Sequence, residues 1–348
     1  MARTRLGRIS TLVAATASVS LALTACGGSS GGTDGNKSLS GVAGESIGCG
    51  KQGKYTIGMS QSNLAEPYRA QMNKDIKRFA AKVPQFEVQF TDAHGDSATQ
   101  ASQVRTFVSK RVDLLIISPN QAAPLTQPVK EAYEAGIPVL VLDRKVRGST
   151  YTSFIAANNT KMGYKAGQHI AKELLPDGGN VIALYGLPGS PPASERYAGF
   201  KKAISDRADI KVVDKLTANW LRGKAQQKMD AALKAHPNID VVFSENDPMA
   251  LGARIAAKRA GRAKDIKFTG MDGLAIPSGG LAAVLQDKLA FTVPYPTNGK
   301  KAIKLAKQIL LQCKKVPKKV TIPTEVVTKD EAAALYRKKS GGKEPPVN

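Results

Sequence analysis

Histidine and cysteine are scarce in this chain: there are three of each in 348 residues. His94, His169 and His236 lie far apart, and no His-Glu-x-x-His pattern occurs, so the sequence offers no zinc-hydrolase helix. Gly186-Leu187-Pro188-Gly189 lacks the Gly-Lys-Ser/Thr continuation of a phosphate-binding loop and reads as a strand-to-helix turn. Asp92, His94 and Asp96 alternate in a way that a metal site would use, but a solvated loop explains them more simply. Aromatic residues are few, at 5%, with a single tryptophan. Neither zinc-finger spacing nor an aromatic-rich basic RNA motif is present. The one long apolar stretch, Ile9 to Ala25, is diluted by Ser and Thr and too short for a membrane span. Acidic residues are also outnumbered, 28 against 51 basic, for a formal charge of +23. These absences point away from catalysis, metal and cofactor. The lysines are spread over helix faces such as Lys300, Lys301, Lys304 and Lys307, which reads as solvated surface rather than a nucleic-acid footprint.

What is present begins at the N-terminus. Arg3, Arg5 and Arg8 precede the apolar stretch, the arrangement of an export signal over residues 1–25. Leu23-Thr24-Ala25-Cys26 resembles the lipobox of bacterial lipoproteins, which implies a lipid anchor on Cys26 and an extracytoplasmic, membrane-held protein. The Gly/Ser-rich run that follows reads as a flexible tether over residues 26–53. Without the signal arginines the chain keeps 48 basic against 28 acidic residues, a net +20, which suits an anionic membrane or cell wall. Outside the cytoplasm Cys49 and Cys313 either pair or stay as two free thiols; a bridge would fasten the chain start to a distant segment.

The remaining roughly 290 residues are long enough for two lobes, each with its own core. Strand-like and helix-like runs alternate throughout. Tyr55–Ser60, Phe86–Ala93, Asp113–Ser118 and Pro138–Asp143 read as strands, separated by helices over Pro67–Lys82, Ala98–Lys110 and Leu125–Gly136. A second series follows, with strands at Asn180–Tyr185, around Lys211–Val213, and at Val241–Ser244, Ile266–Met271 and Leu289–Val293. Repeated βαβ units predict parallel sheets with right-handed crossovers, hence an α/β protein of two similar doubly wound lobes. Ligands in such sheets bind beyond the carboxyl ends of the strands, so facing lobes make a closable cleft.

Polar groups cluster at those strand ends: Glu66-Pro67-Tyr68-Arg69, Asp143-Arg144, Asn158-Asn159, Glu195-Arg196, Asn219-Trp220, Glu245-Asn246-Asp247 and Asp272. Carboxylates accept, guanidiniums donate in a planar fork, and Asn does both, which suits a ring of hydroxyls. Trp220 and Tyr68 can cover the apolar C–H faces of a sugar. The short motifs Leu142-Asp143-Arg144, Ser194-Glu195-Arg196-Tyr197-Ala198-Gly199-Phe200, Asn246-Asp247-Pro248-Met249-Ala250-Leu251-Gly252 and Gly270-Met271-Asp272-Gly273 appear in this order. Together they resemble the substrate-binding proteins of sugar ABC importers, the periplasmic-binding-protein type I family of the ribose and galactose class, over nearly all of residues 54–337. The resemblance implies a monosaccharide ligand held by Asp143 and Arg144 from one lobe and by Arg196, Asn246 and Asp272 from the other, with Trp220 stacking on the ring. It also implies an ABC permease as partner and a monomer closing about a hinge. The expected division is a first lobe of 54–157 with 296–325, a second of 158–295 with 326–337, and a flexible basic tail over 338–348.

Two departures bear on which sugar fits. The family's Asn-Pro-Phe-Phe is Glu66-Pro67-Tyr68-Arg69 here, and Tyr295 replaces a glutamine after the last strand. An aromatic–Arg pair in that loop is more similar to the galactofuranose-binding branch, making Glu66 and Arg69 candidate specificity residues. Alternatives stand beside each assignment. Asp143 and Arg144 can pair with each other, Arg196 can lie on a helix surface, and Trp220 can be core. Asp272 can serve a turn with Gly273. Asn246 can cap the following helix, a role that Asp247 fits better and that would leave Asn246 for ligand. Tyr68, Tyr295 and Asn158, near the crossing between lobes, are evenly balanced. A sensor presenting its ligand to a membrane receptor is the competing function. A transcription regulator would need a helix-turn-helix before the first lobe, where the chain carries a signal and tether instead.

Overall fold

A computed structural model describes residues 49–346. The expected signal peptide, Cys26 and the tether as far as residue 48 lie outside the described residues. The chain opens with β1 (Tyr55–Gln61), α1 (Pro67–Ala80), β2 (Phe86–Asp92), α2 (Ser97–Ser109), β3 (Leu114–Ser118), α3 (Ala122–Glu134), β4 (Val139–Leu142) and β5 (Ser153–Ala157). It then crosses into α4 (Asn159–His169), continued by a π-helical turn (Ile170–Leu174), β6 (Gly179–Tyr185), α5 (Pro191–Ala203), β7 (Ile210–Thr217) and α6 (Arg222–Ala235). The second lobe is completed by β8 (Val241–Ser244), α7 (Asp247–Arg259), β9 (Lys267–Asp272), α8 (Gly280–Leu285) and β10 (Phe291–Pro294). Two further crossings return α9 (Gly299–Leu310) and β11 (Lys319–Ile322) to the first lobe and α10 (Lys329–Ser340) to the second.

The result is two parallel sheets, ordered β11-β5-β4-β3-β1-β2 and β10-β9-β8-β6-β7. Each reverses its winding direction, at β1/β3 in the first lobe and at β6/β8 in the second, and a parallel doubly wound sheet opens its ligand crevice there. Sequence dictates the central strands directly: all five residues of β3 are buried, as a strand covered on both faces requires. Edge strand β2 instead alternates half-buried Phe86, Val88 and Phe90 with exposed Glu87 and Gln89. Helix α9 buries Ala302, Ile303, Leu305, Ala306, Ile309 and Leu310 and turns Lys300, Lys304 and Lys307 to solvent. Asp96 caps α2 by accepting from Thr99 N–H (2.6 Å), so it serves the helix terminus.

Close packing of α4 on α5 orients the second lobe's site helix. A Cβ at Gly163 would come within 1.9 Å of the Arg196 carbonyl, and one at Gly199 within 2.1 Å of the Thr160 carbonyl, so only glycine lets the two backbones touch. One apolar cluster covers a face of each sheet, from Met59, Met72 and Ile155 to Phe200, Phe243 and Phe291, and separate clusters fill the remaining faces.

The expected bridge is present, and both chain ends are held over more residues than expected. Cys49 and Cys313 form a disulfide, with Cα atoms 5.7 Å apart across a sequence separation of 264. Gly50 N–H donates to the Leu310 carbonyl (3.1 Å) and Lys51 pairs with Asp113 (2.6 Å). The chain is therefore fastened to the first lobe from Cys49 onward, and the tether boundary expected at residue 53 is too late. At the other end α10 runs to Ser340, so the expected tail from 338 begins inside a helix. Gly341, with φ 81°, ends that helix, and Glu344 pairs back to Arg337 at 3.1 Å. Among the described residues no helix is long and apolar enough to cross a membrane.

Candidate functional site

The carboxyl ends of the strands converge between the lobes, and the polar residues there are almost wholly buried. From the first lobe, Pro67 starts α1 directly after Glu66, which is the N-cap and points its carboxylate inward. Asn63 holds that loop, donating to Glu66 Oε1 (2.8 Å) while accepting from Glu66 N–H (3.1 Å). One turn into α1, Arg69 reaches Asp143 Oδ2 at 2.7 Å and donates to Ser118 Oγ. Asp143 follows β4 in a left-handed conformation, φ 62°, that Asp tolerates better than most residues. Beside it Arg144 donates to the Asn120 carbonyl (2.9 Å) and lies 3.5 Å from Glu66 Oε1. Burial and the like charge of Arg69 pull the Arg144 guanidinium down to about 10, so it stays charged at neutral pH.

In the second lobe Arg196 is anchored from α5. Its Nε donates to Asn159 Oδ1 (3.0 Å), and its Nη1 donates to the Glu245 carbonyl. Trp220 sits in a left-handed turn, φ 71°, and two cations, Arg144 and Arg196, each lie 5.6 Å from its ring centre. Asn246 caps α7, accepting from Met249 N–H (3.0 Å) and donating to the Trp220 carbonyl (3.1 Å). This reverses the expected roles: Asp247 is not the cap. Its carboxyl is buried behind the site, accepting from Thr292 Oγ1 (2.7 Å) and Gly273 N–H (2.8 Å). The reason is backbone: Asn246 is extended, at φ −151° and ψ 164°, whereas Asp247 is already the first helical residue.

Three acids crowd this lobe. Burial raises Asp247 to about 7. It raises Asp272 well above the carboxylate range, with the neighbouring Asp247 charge adding to the effect. Glu245 is raised by burial too, although it accepts from Gly186 N–H at 2.7 Å. The Asp272 carboxyl makes no hydrogen bond among the described residues, and its backbone stands at φ 124°. The Nε atoms of Arg69 and Arg144 and the indole Nε1 of Trp220 are likewise buried without a hydrogen-bond partner.

Glu66, Tyr68, Arg69, Asp143, Arg144, Arg196, Trp220, Asn246 and Asp272 surround one cavity of about 20 Å³ between the lobes. Pro192, which the sequence reading missed inside a Gly/Pro loop, completes its wall. So small a space admits a water-sized guest only, and anything larger requires the lobes to part. Two expected residues do not line this cavity. Asn158 is exposed and caps α4 through Lys161 N–H (2.9 Å), while its neighbour Asn159 points inward to Arg196. Tyr295 is buried outside this wall, its ring edge-on to Tyr68 at 5.6 Å and its hydroxyl donating to the Asp143 carbonyl at 3.3 Å. Tyr68 in turn donates to the Pro296 carbonyl (2.9 Å), so the two tyrosines tie the site to a crossing segment. Ser118, Asn120, Asn159 and Glu245 are further residues that hold the site. Only Asn159 and Glu245 had a sequence signal, as neighbours in the strand-end clusters.

The periplasmic binding protein domain family matches residues 57–314. The ribose import binding protein RbsB of Bacillus subtilis is 35% identical over 281 residues, covering 80% of this chain and 89% of that one. The fructose-binding periplasmic domain of the hybrid two-component system BT1754 is 42% identical, with a TM-score of 0.79 over 82% of this chain and 95% of that one. A Mycobacterium smegmatis protein in complex with β-D-fucofuranose is 31% identical, with a TM-score of 0.76 over 83% and 97% of the two chains.

Proposed function

This chain belongs to the periplasmic binding protein family, and from that premise we propose that it is an extracytoplasmic receptor that captures a monosaccharide, pentose or hexose, and delivers it to an ABC importer. The observation that carries this reading is the set of polar groups that line one cavity from both lobes: Nε atoms of Arg69 and Arg144 and the Trp220 indole N–H, buried with no hydrogen-bond partner among the described residues, and the carboxyl of Asp272, which accepts no hydrogen bond there. Each is matched by a hydroxyl that both donates and accepts, and a guest lacking hydroxyls leaves them unpaired. Because the contacts come from both lobes, sugar binding favours the closed arrangement over the open one. Glu66 and Arg69, at the departure from the family's loop, select the sugar and its ring form. The sugar leaves chemically unchanged, and Cys26 carries the lipid that holds the receptor at the membrane as a monomer.

A thermal-shift screen with pentoses, hexoses and polyols tests the reading. A fitting sugar at a hundredfold excess over Kd adds about 2.7 kcal/mol of stability. Asp272→Asn keeps the carboxyl's shape but exchanges one of its oxygens for an NH2 that only donates, so it is expected to retain the fold and lose most of that gain. A panel in which no sugar stabilises the protein, or in which the variant responds like wild type, would overturn the assignment. The BT1754 domain gives a second reading, presentation of the sugar to a signalling receptor. Loss of sugar uptake on deleting this receptor supports import; intact uptake with a lost transcriptional response supports signalling.

A further inference from the structure

A second hollow, of about 860 Å³, lies beside the crossing segments rather than in the cleft, and the sugar reading makes no use of it. The first lobe lines it with α1 and the first two turns of α9; the second lobe adds the loop after β9, α10 and the residues that follow. Its charge is lopsided. Arg78, Lys300, Lys301, Lys304, Lys339 and Lys343 face only two carboxylates, Asp75 and Glu344. Both carboxylates are engaged: Asp75 by Arg78 (2.8 Å), Thr297 Oγ1 (2.6 Å) and Gln71 (3.1 Å), and Glu344 by Arg337 (3.1 Å). None of the five lysines forms an ion pair with another described residue.

The polar wall is also unfinished. Asn298 is only 5% exposed and lines the hollow, yet neither its Oδ1 nor its Nδ2 has a hydrogen-bond partner among the described residues. It stands at the N-cap of α9 with φ 64° and does not cap that helix, and the first turn of α9 carries no acidic residue. An uncapped helix start presents free N–H groups and the positive end of the helix dipole. A buried amide left unpaired is costly unless a guest satisfies it. Apolar surface continues from this corner along Phe79, Leu274, Ile276, Pro277 and Tyr336.

We propose that this hollow binds a small amphipathic anion. Its phosphate or carboxylate head sits at the start of α9 against Asn298, Lys300, Lys301 and Lys304, and its apolar body lies along Phe79, Ile276 and Tyr336. A lipid headgroup and a free phosphate ester share this chemistry.

Isothermal titration of the purified protein separates them, using hexyl phosphate, monomeric dihexanoyl-phosphatidylglycerol and inorganic phosphate as probes. At least one of the two amphiphiles is expected to bind saturably and more tightly than inorganic phosphate, and the tighter of the two names the source. Lys300→Ala combined with Lys301→Ala removes two charge-assisted contacts and is expected to weaken binding by about tenfold or more. Asn298→Ala is expected to weaken it as well. The lysine pair carries the test if the asparagine variant fails to fold. Both lysines lie outside the sugar cavity, so sugar-induced stabilisation is expected to survive their loss. Three results would overturn the proposal: no saturable binding of either amphiphile, equal affinity for inorganic phosphate, or affinity unchanged in the lysine variant.

Discussion

In the first lobe, Arg69 and Arg144 lie 2.7 Å from Asp143 and 3.5 Å from Glu66; in the second, Glu245, Asp247 and Asp272 are buried around a single guanidinium, Arg196. The two lobes thus bring similar side chains to one cleft but balance their charge by different means. The first lobe neutralises its cations with partners fixed by the fold. The second leaves acid in excess, and burial without enough counter-charge pushes those carboxyls toward the protonated form. Removing a carboxylate from the first lobe therefore costs fold stability as well as sugar contact, whereas removing one from the second acts mainly on what the protein binds, proton or sugar.

The sharpest way to break this contrast is to remove one carboxylate from each lobe. Asp143→Ala takes from the buried Arg69 guanidinium its nearest ion-pair partner, and breaking a buried pair costs about 3–5 kcal/mol. Urea denaturation is expected to show a loss of that size. Asp272→Asn deletes a carboxyl that has no hydrogen bond to lose and relieves its repulsion with Asp247, so the unliganded protein is expected to be as stable as wild type or more so at pH 8. Equal losses in the two variants would erase the difference between the lobes.

A pH series comes next in size. Asp247 stands at about 7 in the folded protein against an ordinary 3.8, and Asp272 and Glu245 are also raised. The folded state then holds protons that the unfolded chain has released. Stability is greatest at the acidic side and is lost as pH rises through the folded values, by up to about 1.4 kcal/mol per pH unit for each proton. The melting temperature is expected to fall between pH 5 and pH 8, and Asp247→Asn to flatten that fall. A melting temperature that climbs over the same range would place the excess acid elsewhere.

The smallest effect sharpens the boundary of the site. Asn158→Ala removes the cap of α4, costs about 1 kcal/mol and is expected to leave sugar affinity unchanged. Asn159→Ala removes the acceptor that orients Arg196, and is expected to weaken sugar binding more than it lowers stability. Titration calorimetry beside thermal melts separates the two.

These paired residues also mark how far the sequence could be read. The alternation of apolar strands with amphipathic helices was legible, because burying both faces of a parallel sheet leaves a continuous apolar run such as Leu114–Ser118. Most of the site was legible too, since polar residues directly after such strands have only the crevice to enter. The choice between Asn158 and Asn159 was not legible: one step along a helix start turns a side chain by about 100°. Nor was the exchange of roles between Asn246 and Asp247, which depends on the residue at which the backbone leaves the extended conformation.

By itself the sequence determined two α/β lobes and placed Asp143, Arg144, Arg196, Trp220 and Asp272 at strand ends, because local pattern and propensity act over a few residues. Tertiary structure alone decided which of those groups meet, and with what partners. Arg69 finds Asp143 across 74 positions of chain, and Arg144 shares the Trp220 ring with Arg196 from the opposite lobe. Charge balance and burial arise from atoms brought within a few ångströms, and separation along the chain does not predict that distance.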